Sequence, residues 1–481
     1  MGHFHRRMIS FWASVGTRSM PFADVATPDL PLSRLLRLSL FQISVGMVLV
    51  LLVGTLNRVM IVELSVPASL VAVMLAMPLV FAPLRALIGF RSDNHKSALG
   101  WRRVPFIWKG SLAQFGGFAI MPFALLVLAG EGMSGSLSPW VGRITAAAAF
   151  LLVGAGAHTV QTAGLALATD LTPPESQPRV VGLMYVMLLV GMIGSALVFG
   201  IALADYSPGR LVRVIQSVAL MTMALNVIAV WKQEARRPQR GITAEPEPEP
   251  SFRDAWAKFC EGEHTMLRLS ILGLGTIAFG MADVLLEPFG GHVLKLSVSA
   301  TTQLTAVFAG GGLLGFWLAS KIVGAGTEPY VTARHGALIG VPAFACVILA
   351  APLQTAQLFV LGNFLIGFGG ALFAHGTLTA SMHRAPAAQV GLALGAWGAV
   401  QATAAGLGVA LSGTLRDIAG ALSETTAGLS SEASGYLAVY GLEIVLLLAT
   451  VAAIVPLLRG DRNTTRAATD DAATAAGSAR A

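Results

Sequence analysis

The chain of 481 residues is 55% hydrophobic and only 12% charged, where an ordinary soluble domain carries about a quarter charged residues. A mean hydropathy of +0.71 leaves no room for a sizeable soluble domain. The net charge of +7 does not point to nucleic acid, because Lys and Arg gather in short segments beside apolar runs, where they orient a membrane protein.

Residues 1–37 carry Arg6, Arg7, Arg18, Arg34 and Arg37 and show no small-residue cleavage site after a short apolar stretch, so they read as a retained arm rather than a signal peptide. Twelve apolar spans follow, at 38–61, 67–89, 104–129, 142–169, 180–204, 209–231, 268–288, 298–320, 333–351, 356–380, 388–413 and 435–458. Each approaches the roughly 20 residues that cross a hydrocarbon core of about 30 Å, and only helices satisfy their own backbone there. Lys and Arg favour alternate loops, at the arm, 91–103, 232–240, Lys321, Arg384 and 459–466, which predicts cytoplasmic termini.

Residues 232–267 read as a cytoplasmic linker. Its Glu245-Pro246-Glu247-Pro248-Glu249-Pro250 run predicts an extended spacer, and Phe252, Trp256 and Phe259 on one face predict an interfacial helix after Ser251. Residues 459–481, rich in Ala, Thr and Asp, predict a disordered cytoplasmic tail.

The halves 38–231 and 268–458 echo each other. Leu64-Ser65-Val66 recurs as Leu296-Ser297-Val298, Leu87-Ile88-Gly89-Phe90 as Leu313-Leu314-Gly315-Phe316, and Val181-Gly182-Leu183 as Val390-Gly391-Leu392. Three echoes in the same order predict an all-α membrane protein of two six-helix halves, the layout of the major facilitator fold.

Gly89 and Asp93, followed by Gly100, Arg102 and Arg103, resemble the loop signature of the major facilitator superfamily, in which Asp and Arg pair and cap helix ends. The second-half copy has Ala319 where Asp would stand, which argues against ordinary alternating-access gating. The stretch Arg91 to Trp108 is more specific. Together with Leu56-Asn57-Arg58, His158-Thr-Val-Gln161, Asp283-Val-Leu-Leu-Glu287-Pro288 and Gly395-Ala-Trp397-Gly-Ala-Val-Gln401, it resembles the bacteriochlorophyll delivery family, the PucC-like and LhaA-like light-harvesting assembly proteins of purple phototrophic bacteria.

That resemblance implies an assembly factor of the intracytoplasmic photosynthetic membrane. It would bind bacteriochlorophyll and deliver it to the alpha and beta antenna polypeptides, light-harvesting 1 favoured over light-harvesting 2, beside bacteriochlorophyll synthase and membrane lipid. The alternative is a proton-coupled small-molecule transporter of the same superfamily. No phosphate loop, dinucleotide fingerprint, metal-binding His pair or nucleophile elbow occurs, which argues against an enzyme and against a metal held by the protein itself.

A pigment of this kind needs an apolar face, an axial ligand for its Mg and hydrogen bonds for its carbonyls. His158 and His375 lie among glycines and are candidate ligands, though glycines also let membrane helices approach and a buried histidine can bond a neighbouring helix. Gln161, Trp397 and Gln401 are candidate pigment contacts, with helix-to-helix ties the competing reading for the glutamines. Charge inside a membrane is a functional clue. Asn57 and Arg58 in span one and Asp283 and Glu287 in span seven form a candidate latch in which Arg58 pairs with either carboxylate; a proton site or a plain ion pair are the alternatives.

Overall fold

A computed structural model describes residues 31–80, 88, 92, 101–130, 138–173, 176–234, 260, 262, 264–383, 390–426 and 431–478. Gly89, Asp93, Gly100, the Glu-Pro run and the expected interfacial helix at 251–259 lie outside the described residues. The described chain is helical throughout: α1 Leu32–Leu38, α2 Leu40–Leu49, two π-helical segments Val50–Leu56 and Val59–Glu63, α3 Ala68–Val80, α4 Val104–Ala129, α5 Pro139–Asp170, α6 Gln177–Ala202 and α7 Pro208–Val230. There follow α8 Thr265–Gly280, α9 Ala282–His292, α10 Val298–Gly324, α11 Pro329–Leu353, α12 Ala356–His383, α13 Val390–Thr426 and α14 Ser431–Ser478. Ten stretches among the described residues are long and apolar enough to cross a membrane, including 32–63 and 265–292 taken whole.

Local chemistry sets several ends. Ser138 accepts from the Trp140 amide with Pro139 in the first turn of α5, and Glu328 accepts from the Val331 amide at 3.0 Å with Pro329 in the first turn of α11. Gly130, at φ 66°, closes α4, and Gln354, at φ 46°, closes the corresponding α11. The turns before spans two and eight are also equivalent. Ser65 (φ 51°) and Lys295 (φ 52°) are left-handed, and the next amide reaches back six residues, Val66 to Met60 and Leu296 to Gly290. The structural repeat therefore aligns Val66 with Leu296, two positions away from the match of letters, because the turn geometry rather than the Leu-Ser-Val string is what repeats.

The residues divide into two compact units, and the division does not follow the linker. Unit 1 is Met1–Leu49, Leu84–Ser195 and Pro208–Gly241; unit 2 is Val50–Pro83, Ala196–Ser207 and Ile242–Ala481. In unit 1, α4 lies along α5 so closely that a Cβ on Gly110 would stand 2.8 Å from the Gly156 carbonyl oxygen. Its core gathers Leu35, Leu38, Phe41, Ile107, Val160 and Met184. In unit 2, α11 packs on α12, α10 on α12, and α3 on α13, where the Ser69 amide donates to Asp417 at 2.8 Å. Span two thus belongs by packing with residues of the second sequence half.

Two sequence expectations change at the ends. Span eleven, read as 388–413, is helical to Thr426. The tail expected to be disordered continues α14 to Ser478, because a packed span spares the cost of helix nucleation and the Ala-rich sequence propagates it.

Candidate functional site

Arg103 organises the polar end of unit 1. It is 5% exposed, and its Nε donates to Asp170 at 3.0 Å and its guanidinium to Ser92 at 2.5 Å. Arg102 reaches the same Asp170 at 2.8 Å. Glu234 accepts from the backbone amides of Arg102, Arg103 and Val104 at 2.6 to 3.1 Å, capping α4 with a full negative charge where the helix dipole favours one. Arg34 and Gln233 exchange hydrogen bonds beside it. The motif arginines therefore do pair and the helix end is capped, by Asp170 and Glu234, neither of which the sequence reading singled out. They stand 67 and 131 residues from Arg103, so no local pattern connects them.

In unit 2, the span-one residues meet span seven, though not as a latch. Pro288 inside α9 has no N–H for the Val284 carbonyl, and Asn57 supplies the missing donor through Nδ2 at 2.8 Å. Arg58 is 3% exposed and pairs with Glu63 and the Leu296 carbonyl at 2.9 Å, not with Asp283 or Glu287. This corrects the expected pairing, and the cause is the π-helical backbone: i to i+5 bonding brings Glu63 onto the face of Arg58, which α-helical spacing would not. Gly291 makes room, since a Cβ there would stand 3.0 Å from Arg58 Nε.

Glu287 is 6% exposed; its Oε1 accepts from Thr305 at 3.0 Å and its Oε2 has no partner. Asp283 is half-buried and lines a cavity of about 160 Å³ with Thr276, Phe279, Phe308, Trp397 and Gln401. Trp397 Nε1 donates to Thr377 at 3.3 Å, which fixes the indole at the wall. Glu443 in α14 is fully buried with both carboxyl oxygens unpartnered.

The candidate pigment residues fall in three places. Trp397 and Gln401 share the cavity. His375 lies on α12 outside its lining, ring edge against Phe316 at 4.8 Å, with Nδ1 buried and unpartnered. His158 and Gln161 lie on α5 in unit 1, where Gln161 bonds Gln42 at 3.5 Å, a tie to α2. The glycines near His158 are occupied by packing, Gly156 by α4 and Gly164 by the Phe41 ring. Unit 1 also holds an apolar groove of about 360 Å³ between α4 and α7, walled by Trp101 and Trp108, with Ser111 and Asn226 in its lining. Asn226 donates to Ser111 and Gln114 at 2.9 and 3.3 Å.

The fold is the major facilitator fold. A solved bacterial homologue of the human lysosomal transporter Spinster, in an inward-facing and occupied conformation, matches with a TM-score of 0.64 at 17% identity, over 90% of this chain and 98% of that one. At that identity the likeness shows architecture alone.

The sequence identifies the branch. The family described as PUCC protein matches residues 55–462, and the chain belongs to that family. Protein PucC of Rhodovulum sulfidophilum is 61% identical over 87% of this chain and 92% of its own length. A "Bacteriochlorophyll synthase 44.5 kDa chain" of Rhodobacter capsulatus is 29% identical over 78% of this chain and 85% of its own.

Proposed function

We propose that the chain is an assembly factor for the photosynthetic complexes of purple bacteria, which binds bacteriochlorophyll and hands it to nascent alpha and beta antenna polypeptides in the inner, intracytoplasmic membrane. The observation that carries this reading is membership of the PUCC family across residues 55–462, reinforced by 61% identity to a protein named PucC. The relative named as a bacteriochlorophyll synthase chain supports a link to pigment synthesis, so the synthase is a proposed partner alongside light-harvesting 1 first and light-harvesting 2 second. No chemical step is assigned to the chain.

A cavity of about 160 Å³ encloses no macrocycle, since even drug-sized ligands occupy pockets of about 300 to 1,000 Å³, but Trp397 and Gln401 offer a flat wall and an amide to a ring edge. His375, whose unpartnered Nδ1 is buried outside the cavity lining and beside Phe316, offers a nitrogen to an axial site only once the packing around it opens. Bound pigment would supply the Mg and the absorbing ring; the chain supplies an apolar seat and a nitrogen lone pair. Cytoplasmic termini complete the reading.

The test is gentle purification from phototrophically competent membranes, with near-infrared absorption recorded beside the proteins that co-purify. Bound bacteriochlorophyll together with antenna polypeptides is expected, and His375→Ala should lower the pigment per protein at normal protein level. A colourless protein that brings down no antenna polypeptide would sink the reading.

A further inference from the structure

Unpartnered buried polar atoms gather in one region of unit 2. They are both carboxyl oxygens of Glu443, the hydroxyl of Tyr440, Oε2 of Glu287 and Oδ1 of Asn57. Glu443, Tyr440 and Asn57 are fully buried. Tyr440 interacts electrostatically with Glu443 and Glu287, and Asp283 with both Glu443 and Glu287, so the four groups form one set across α9 and α14. Four of the five orphan atoms are acceptors. What the set lacks is donors.

Among the described residues no cation bonds these acceptors. Arg58 gives its terminal nitrogens to Glu63 and the Leu296 carbonyl and leaves Nε buried without a partner, and Arg416 is held by Asp417 and the face of Tyr436. His292 meets the Tyr436 hydroxyl at 2.8 Å. The side-chain donor to these carboxyl groups among the described residues is Thr305, on Glu287. Among the described residues no grouping of His, Cys, Asp and Glu has the arrangement to hold a metal ion. A buried carboxylate with neither counter-ion nor hydrogen bond is too costly to persist in a membrane, and a proton removes the charge and creates the missing donor at once.

We propose that Asp283, Glu287, Glu443 and Tyr440 form a proton-binding site, filled and emptied through Asp283 from the cavity that Asp283 shares with Trp397 and Gln401. The cavity supplies the route, because Asp283 is the half-buried member of the set and lines it, whereas Glu287 and Glu443 lie behind it in the protein. Tyr440, buried with its hydroxyl unpartnered, lies in the same field as both glutamates and senses their charge. The proton passes from water in the cavity to a carboxylate oxygen and returns by the same path; no other bond changes. Groups on the neighbouring elements that would sense the charge are Arg58 and Glu63 of span one, His292 of α9, Arg416 and Asp417 of α13 and Tyr436 of α14. This site goes beyond pigment delivery and stands whether or not the chain carries pigment.

Infrared difference spectra of the whole protein in lipid nanodiscs, recorded as the pH is stepped from mildly acid to alkaline, test it. The wild type is expected to show the carbonyl stretch of protonated carboxylic acids, displaced in heavy water, and Glu443→Gln and Asp283→Asn should each remove one component of that band. A wild-type spectrum with no such band near neutral pH overturns the proposal without reliance on any variant. So does a band that both variants leave unchanged, or one that added sodium abolishes at constant pH, which would make the site a cation site.

Discussion

Two polar clusters, one in each unit, are built on opposite plans. Around Arg103 the charges answer one another: Asp170 neutralises both motif arginines, and Glu234 takes three helix amides. Around Glu443 the acceptors outnumber the donors, with Thr305 the side-chain donor to the three carboxyl groups among the described residues. A satisfied network holds helices in one arrangement, whereas an unsatisfied one changes state when a proton or ligand arrives. The first cluster is therefore expected to carry stability and the second to carry a switch.

Removing the centre of the satisfied cluster should have the largest effect. Arg103→Ala takes the buried cation from Asp170, which keeps the more exposed Arg102, and removes one hydrogen bond from Ser92. Breaking a buried pair costs about 3–5 kcal/mol, and because Asp170 is 30% exposed the loss should lie near 3 kcal/mol, read as a lowered thermal midpoint in nanodiscs. If Arg103→Ala melts like wild type, the contrast between the clusters fails on its structural side.

Asn57 comes next. Asn57→Ala strands the Val284 carbonyl that Pro288 already deprives of its helical donor, a loss of about 2 kcal/mol. Pro288→Ala returns an N–H to that carbonyl, so in its background the Asn57 change should cost much less. The four proteins form a double-mutant cycle; additive losses would show that Asn57 does not serve the proline break.

The sequence made some of this legible and hid the rest for physical reasons. The span rhythm, the duplication and the importance of Asn57, Arg58, Asp283 and Glu287 could be read because membrane burial makes long apolar runs and rare charges stand out. The partner of Arg58 could not, since no sequence pattern announces the π-helical segment Val59–Glu63 that turns Glu63 onto the same face. Asp170, Glu234 and Asn226 escaped notice because they are single polar residues near helix ends or inside spans, and only tertiary packing brings them to Arg103, to the start of α4 and to Ser111. Glu443 is a lone carboxylate in span twelve, and its convergence with Asp283 and Glu287 is a product of α9 and α14 lying together. The glycines near His158 misled in the other direction, signalling room for a ring where the helices use them to touch.

The smallest expected effect separates the clusters most cleanly. Glu234→Gln removes the charge and one of the two acceptor oxygens, since Oε1 accepts from Arg102 and Arg103 and Oε2 from Arg103 and Val104, so the loss is the helix-dipole share plus one amide's hydrogen bond, about 1 kcal/mol at low salt. Glu234 is partly exposed, and ions in solution screen such a charge over a Debye length of about 10 Å at 0.1 M salt. Raising the salt should therefore remove the charge part of the difference between Glu234→Gln and wild type and leave the hydrogen-bond part. Glu443→Gln sits where salt does not reach, and its difference from wild type should stay constant across the same range. Equal salt responses from the two variants would mean that Glu443 is reached by solvent ions, and the distinction between a satisfied outer network and an unsatisfied buried one would have to be abandoned.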